Sequence, residues 1–233
     1  MDEIDRYSRN MKMLSLEENR HLRQSIVAVI GCGGLGGGII EMLGRLGVGH
    51  VIAVDGDVFE ASNLNRQVLS HTQNLGTGKA AAAVERMQLV NPDVRVTPVQ
   101  ERITRSNGAA ILQNADVVVD AVDGIDTRLM LQELAETLNI PLVHGAIGGW
   151  YGQVTTILPG DRTLHMIYAG DQHQGIEKEL GNPSFTPALV GAIQTSEVVK
   201  LLIGRGELLR RKMLYIDLFE QEYSVLDLSG MDG

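Results

Sequence analysis

Three kinds of residue in this chain could act together on a ligand: glycines crowded into one turn, carboxylates at the ends of apolar runs, and isolated cations in polar loops. The glycines are Gly31, Gly33, Gly34 and Gly36. They follow an apolar run over 25–30 and open a helical pattern that spans 35–46. A second apolar run, 51–54, ends on Asp55, with Asp57 just beyond. Strand, glycine turn, helix, strand and acid make the nucleotide-binding unit of a doubly wound α/β fold. One glycine makes the tight turn, one admits phosphate to the backbone, and one lets the helix pack on its strand. The unpaired N–H groups and positive dipole end of that helix favour an anion. Asp55 is placed to accept hydrogen bonds from a ribose. The fingerprint says nucleotide without saying which, and a dinucleotide dehydrogenase is its default reading.

Further carboxylates and cations narrow that choice. Asp120 and Asp123 follow a strand-like run at 117–119, and ligands of open α/β sheets bind at such carboxyl ends. A carboxylate there can hold Mg²⁺, which takes one or two carboxylates plus phosphate oxygens. Asp123 could equally cap a helix or turn, and Asp120 could satisfy nearby backbone. Lys79 opens a predicted helix, where the dipole disfavours a cation; a bound anion would explain it, and so would an exposed, fraying helix end. The stretch is not a Walker A loop, because Gln73 and Ala80 stand at its key positions. Arg66 and Asn63 lie in a polar loop beside the second strand. Arg9 sits in an arginine-rich arm that reads either as a solvated helix or as functional. Cys32 lies inside the glycine turn, where a thiol is normally a small buried filler. The histidines show no metal-ligand spacing. Trp150 and Tyr151 could form a substrate-facing lip or belong to the core.

The elements that must position these groups alternate in type. Residues 1–24 form a polar arm with a helical rhythm. Next comes the glycine unit, and then a long polar loop at 57–78, a length that is often functional. A helix over 79–90 is stopped by Asn91-Pro92. Strands at 94–99 and 117–119 flank a short helix at 107–113. A helix over 127–138 is capped by Asp126. Strands follow at 142–146 and 153–158, then an aperiodic, mobile crossing loop. A helix starting at Thr186-Pro187 runs to 203 before Gly204. Runs at 213–218 and 223–228 pair as a hairpin. The reading is a Rossmann-like, mainly parallel sheet extended by C-terminal antiparallel strands, with a short helical arm at the front. All 233 residues fit one domain: arm 1–24, nucleotide-binding core 25–158, crossing loop 159–186, and closing helix and strands 187–233.

Composition excludes several classes. Hydrophobic residues at 44% and charged residues at 21% are ordinary for a globular protein. A formal charge of -9 argues against a nucleic-acid partner, since no basic excess exists to neutralise phosphates. No apolar run reaches the length of a membrane span, and the first nine residues are too charged for a signal peptide. A single cysteine rules out an intrachain disulfide and any cysteine-based zinc site. A cytoplasmic enzyme is the simplest expectation.

Taken in order, Arg6-Tyr-Ser-Arg9, Gly31-Cys-Gly-Gly-Leu-Gly36, Asp55-x-Asp57, Ser62-Asn-Leu-Asn-Arg66-Gln67, Gly78-Lys79 and Asp120-x-x-Asp123 resemble the ThiF/MoeB/HesA family. These are bacterial relatives of the ubiquitin-activating E1 enzymes. The resemblance implies ATP- and Mg²⁺-dependent adenylation of the C-terminal Gly-Gly carboxylate of a small ubiquitin-like sulfur-carrier protein, with release of pyrophosphate. It implies that Gly31, Gly33, Gly34, Gly36 and Asp55 hold adenosine, with Asp57 beside them. Arg66 and Lys79 would bind the triphosphate, Asn63 would orient it, and Asp123 would bind Mg²⁺. It also implies a homodimer in which Arg9 reaches the neighbouring subunit's site. The chain lacks the two CxxC pairs that bind structural zinc in many members; where the first would fall it reads Thr163-Leu-His-Met-Ile-Tyr168. The crossing loop 159–186 has no cysteine for a thioester, so adenylation without a covalent E1 step is expected. A loop with no metal to pin it is expected to be more mobile. A non-catalytic carrier-binding module, an NAD(P)-dependent oxidoreductase, and the family branch that activates a tRNA-linked carboxylate are the alternatives.

Overall fold

The computed structural model describes residues 6–168 and 180–230; residues 1–5, most of the crossing loop at 169–179, and 231–233 lie outside the described residues. Strand β1 (Ile26–Ile30) is five β-branched or small residues, four of them buried. It feeds helix α2 (Gly34–Leu46) through the glycine turn. Helix α1 (Leu16–Gln24) precedes it, started by a Ser15–Glu18 capping box. Helix α2 stops at Gly47, whose φ of 88° is left-handed, with its N–H on the carbonyls of Leu43 and Gly44. β2 (His50–Val54) follows. A loop containing a 3₁₀ turn (Ala61–Asn63) then leads to α3 (Lys79–Val90). Its Ala80–Ala83 run is strong helix former, and Asn91-Pro92 ends it as expected.

The chain continues through β3 (Arg95–Val99), α4 (Gly108–Leu112), β4 (Val117–Asp120) and α5 (Ile125–Thr137). It closes with β5 (Leu142–Gly148), β6 (Tyr151–Ile157), α6 (Thr163–Ile167), α7 (Phe185–Ile203), β7 (Lys212–Asp217) and β8 (Glu222–Asp227). All strands join one sheet in the order β3-β2-β1-β4-β5-β6-β7-β8. β1 to β5 are parallel, and β6, β7 and β8 add antiparallel. This is the Rossmann-like sheet with C-terminal antiparallel strands that the alternation of elements implies.

Alternation along β1 sorts the core. Val27 and Val29 face one side with Ile39, Ile40, Leu43 and Val190, under α2 and α7. Ala28 and Ile30 face the other with Leu131 and Leu142, under α5. Chain connectivity runs outward from β1 in both directions, to β2 and β3 on one side and β4 and β5 on the other. The crevice therefore opens where β1 and β4 end. Register places the strand ends level: Ile30 pairs with Val54 and with Asp120.

Two expectations are corrected. α5 begins at Ile125 with Gly124 as its cap residue, so Asp126 lies in the first turn, where an acid favours the dipole without capping it. The crossing loop is not aperiodic where it is described. Asp161 accepts from Arg210 at 2.8 Å and Arg211 at 3.0 Å, and Gln132 on α5 accepts the N–H of Leu164 at 2.7 Å. Ion pairs and an amide thus tie residues 161–164 to the segment just before β7 and to α5.

Asp161 carries a testable consequence. Its carboxyl is 1% exposed, and the Arg210 and Arg211 hydrogen bonds outweigh burial to hold its pKa below the usual value. Asp161→Asn should lower unfolding free energy at neutral pH by about 2 kcal/mol. A depressed folded pKa gives stability that is full above the unfolded carboxyl value and fades as pH falls towards the folded one. Denaturant curves of variant and wild type should therefore begin to approach each other only below about pH 4 and merge at lower pH still.

Candidate functional site

The level strand ends put Gly31, Asp55 and Ala121 side by side. Gly31 N–H donates to Val54 O at 2.8 Å, and Ala121 N–H to Ile30 O at 2.9 Å. Gly31 has φ 96°, and a Cβ there would lie 2.5 Å from Ala121 O; at Gly36 it would lie 1.7 Å from Gly31 O. The fold itself demands glycine at both. Gly33 and Gly34 differ, because a Cβ at either would meet neighbours at 3.5 Å or more. Packing does not explain their bareness, and both line a cavity of about 490 Å³ at the strand ends. That volume suits a mid-sized organic ligand.

The same cavity is lined by Asp55, Asp57, Asn63, Arg66, Lys79 and Asp123, brought together from four separate stretches of chain. Each is held by identifiable contacts. Asp55 Oδ2 accepts the Cys32 N–H and Oδ1 the Asp57 N–H, both at 2.8 Å, so this acid braces the glycine turn and the loop after β2. Each oxygen keeps a lone pair for a hydroxyl. Asn63 is buried; its Oδ1 accepts the Glu60 N–H, and its carbonyl accepts from Arg66 and Gln67. Arg66 is steered by Ser62 O at 3.1 Å and Asn65 Oδ1 at 2.8 Å.

Lys79 is 8% exposed at the first position of α3, which excludes a frayed surface lysine. Its ammonium has Asp57 Oδ2 at 3.8 Å. A buried cation at a helix N-terminus opposes both desolvation and dipole unless an anion joins it. Asp123 is exposed on the cavity wall, and among the described residues it forms no hydrogen bond or ion pair, so it is not a cap. An exposed hard carboxylate on a wall shared with cations is the kind of oxygen donor that Mg²⁺ takes. Among the described residues no group of three or more His, Cys, Asp or Glu could hold a metal by themselves.

Two sequence candidates stand apart. Gly36 is buried under β1 and does not line the cavity. Arg9 is exposed on the N-terminal arm, away from the cavity of its own chain. Its neighbours are structural: Arg6 donates to Val90 O at 3.0 Å, and the buried Tyr7 hydroxyl accepts from Asn91. They clamp the arm onto the ends of α2 and α3.

Sequence reading missed Arg102, Gln67 and Arg128, which line the cavity too. Arg102 lies just beyond β3, a strand end that could have been flagged on topology alone; it pairs with Asp57 at 3.0 Å. Arg128 lies on α5 and is 4% exposed. Asp120 and His144 are fully buried and bonded at 2.6 Å. Burial holds the imidazole pKa below its usual value. His144 does not line the cavity, which removes the proton-transfer group a hydride-transferring oxidoreductase needs. Trp150 is 44% exposed and packs on Phe185 and Phe219 at ring distances of 4.7 and 5.6 Å, so it belongs to the surface, not the core.

The sequence matches the ThiF family over residues 7–232. The chain belongs to that family. This ThiF-family chain is 38% identical over 229 residues to the SAMP-activating enzyme E1 of Haloferax volcanii, covering 96% of itself and 85% of that protein. It is 36% identical over 238 residues to the sulfur carrier protein adenylyltransferase of Thermus thermophilus, covering 97% of itself and 87% of that protein. Its fold is similar to the crystal structure of PaaA, with TM-score 0.83 and 23% identity, over 97% of this chain and 73% of that one. It is an E1-like adenylyltransferase. Among the described residues no helix is long and apolar enough to cross a membrane.

Two outcomes follow from the geometry. Cys32 is fully buried, and burial, with Asp55 adding to it, pushes its thiol pKa well up. Cys32→Ala should therefore leave turnover within about twofold of wild type, measured as nucleotide-dependent exchange. Arg102→Ala should raise the KM for nucleotide about fivefold with little change in kcat, since its exposed charge contributes binding more than chemistry.

Proposed function

We propose that this adenylyltransferase activates the C-terminal Gly-Gly carboxylate of a small ubiquitin-like sulfur-carrier protein, using ATP and Mg²⁺ and supplying an acyl-adenylate for sulfur transfer in cofactor biosynthesis. One observation carries the reading: a buried lysine at a helix N-terminus shares a cavity with Arg66 and a bare glycine turn, in a chain whose net charge is -9. Cations so concentrated answer a polyanion.

The residues divide the work as follows. Asp55 accepts from ribose hydroxyls, while Gly31, Gly33 and Gly34 leave the backbone open at the start of α2 for a phosphate. Asn63 and Arg66 steer the triphosphate, and Lys79 neutralises it, drawing its ammonium away from Asp57. Asp123 holds Mg²⁺, which when bound neutralises charge on the phosphates. The carboxylate attacks the α-phosphorus and the bond to pyrophosphate breaks. Negative charge approaches negative charge, so fixed cations and positioning supply most of the acceleration. Arg9 adds a further cation to the site of a second copy in a homodimer. Its exposed position, on an arm clamped by Arg6 and Tyr7, supports a role in trans.

The partner class is supported by the relatives' names, a SAMP-activating enzyme and a sulfur carrier protein adenylyltransferase. With no cysteine in 159–186 and Cys32 buried, no thiol on the chain is available for a thioester. A separate sulfur donor then attacks the adenylate. The exposed aromatic group of Trp150, Phe185 and Phe219 borders this end of the sheet, one turn beyond Ile147 on the cavity wall. It offers apolar area for a carrier's body.

Carrier-dependent ATP–pyrophosphate exchange tests the reading. Arg66→Ala and Asp123→Ala should each cut exchange by about 10²- to 10³-fold while leaving the protein folded. Absence of exchange with every Gly-Gly carrier of the source organism would defeat the proposal. Mixing Arg9→Ala with Arg66→Ala protein should restore about a quarter of wild-type exchange, because a mixed dimer keeps one complete site. No recovery from two inactive variants would place Arg9 in cis, and a fully active Arg9→Ala protein would place it outside the reaction.

A further inference from the structure

Val122, the residue before Asp123, is gripped at both of its backbone polar groups. Val122 donates its N–H to Asp120 Oδ1 at 3.1 Å. Its carbonyl accepts from Arg128 Nε at 3.3 Å and Nη2 at 2.8 Å. The two grips are joined behind the cavity wall. Asp120 Oδ2 receives Nδ1–H of His144 at 2.6 Å. His144 Nε2 accepts the Tyr168 hydroxyl at 3.2 Å, and the same oxygen accepts Arg128 Nη1 at 2.8 Å. Val122, Asp120, His144, Tyr168 and Arg128 therefore close a ring of hydrogen bonds. The pattern requires a neutral imidazole protonated on Nδ1, which its complete burial favours.

The ring joins parts of the chain that share no local structure: the end of β4, the middle of β5, the first turn of α5, and the residue after α6. Gln153 Nε2 also donates to the Tyr168 hydroxyl at 2.8 Å and lies 3.2 Å from His144 Nε2, buttressing the ring from outside without closing it. Opening the ring at the phenol would strip an acceptor from Arg128 in a poorly solvated place and leave His144 Nε2 with Gln153 alone, so Arg128 loses its tie to Asp120. Asp123 itself has no hydrogen bond among the described residues and only a through-space attraction to Arg102, so its backbone sets where its carboxylate stands.

We propose that Tyr168 is a positioning residue for the Asp123 carboxylate: its hydroxyl closes the ring that fixes the Val122 peptide, and so presets the acid that meets the metal. The inference rests on the reading of Asp123 as the Mg²⁺-binding group. Of the ring's members only Val122 and Arg128 line the cavity, with Asp123 beside them; Asp120, His144 and Tyr168 stand behind the wall. The ring's effect is preorganisation of one oxygen ligand.

The test uses the full chain with a non-hydrolysable ATP analogue and Mn²⁺, counting free Mn²⁺ by electron paramagnetic resonance. Tyr168→Phe keeps the ring's bulk and removes only the hydroxyl. It should raise the Mn²⁺ midpoint about five- to tenfold, while metal-free nucleotide affinity stays within about twofold. Gln153→Met should leave the midpoint near wild type, because the ring remains closed. Asp123→Ala should raise the midpoint further, and adding Tyr168→Phe to it should change nothing more. A Tyr168→Phe protein with a lower melting temperature but a wild-type midpoint would overturn the proposal. So would a Gln153→Met shift as large as that of Tyr168→Phe. A wild-type midpoint in Asp123→Ala would instead remove the metal assignment, and this inference with it.

Discussion

A methyl group that cannot be present holds the ligand-binding end of this protein together. The first turn of α2 lies so close to the turn before it that a Cβ on Gly36 would fall 1.7 Å from the Gly31 carbonyl. That approach brings the helix start, with its unpaired N–H groups, against the ends of β1 and β4. It also forces Gly31 into a left-handed conformation beside Ala121. The Asp55 carboxylate braces the same turn through the Cys32 N–H. Everything at the cavity is placed relative to this contact.

The cavity is electrostatically mixed. Asp57 stands between Arg102 and Lys79, at 3.0 and 3.8 Å, so the chain's own carboxylate partly occupies the place of an anion. This is how a buried lysine is tolerated at a helix N-terminus. Under the proposed function a polyanionic ligand would compete with Asp57 for these cations, and a metal brought to Asp123 would limit the charge that the acidic chain must answer. Specific local cations, not net charge, then govern binding.

The N-terminal arm and α6 show how structural and functional readings of neighbouring residues separate. In the stretch from Arg6 to Arg9, the first arginine and the tyrosine clamp the arm to α2 and α3, which leaves Arg9 as the exposed cation. In the stretch from Thr163 to Tyr168, Leu164 packs in the core, its N–H is held by Gln132, and Tyr168 joins the buried ring behind Asp123. Polar contacts with α5, and those of Asp161 just ahead of it with Arg210 and Arg211 before β7, hold this segment in place.

Sequence alone determined the order of elements, the parallel sheet with its antiparallel extension, and the need for one glycine in the tight turn and one where the helix packs. These follow from local period and turn chemistry: the β-branched runs, the Ala-rich α3, the stops at Asn91-Pro92 and Gly204. The family pattern also named Asp55, Arg66, Lys79 and Asp123, because those residues sit in recognisable strings near strand ends. Tertiary structure alone decided which glycines the fold requires and which it leaves bare, since that depends on what a Cβ would meet from another segment. It alone added Arg102 at the end of β3 and settled Trp150 on the surface. It alone closed the ring through Asp120, His144, Tyr168 and Arg128. Those four residues lie up to forty-eight positions apart, and no local pattern reports a bond made only when separate strands and helices pack.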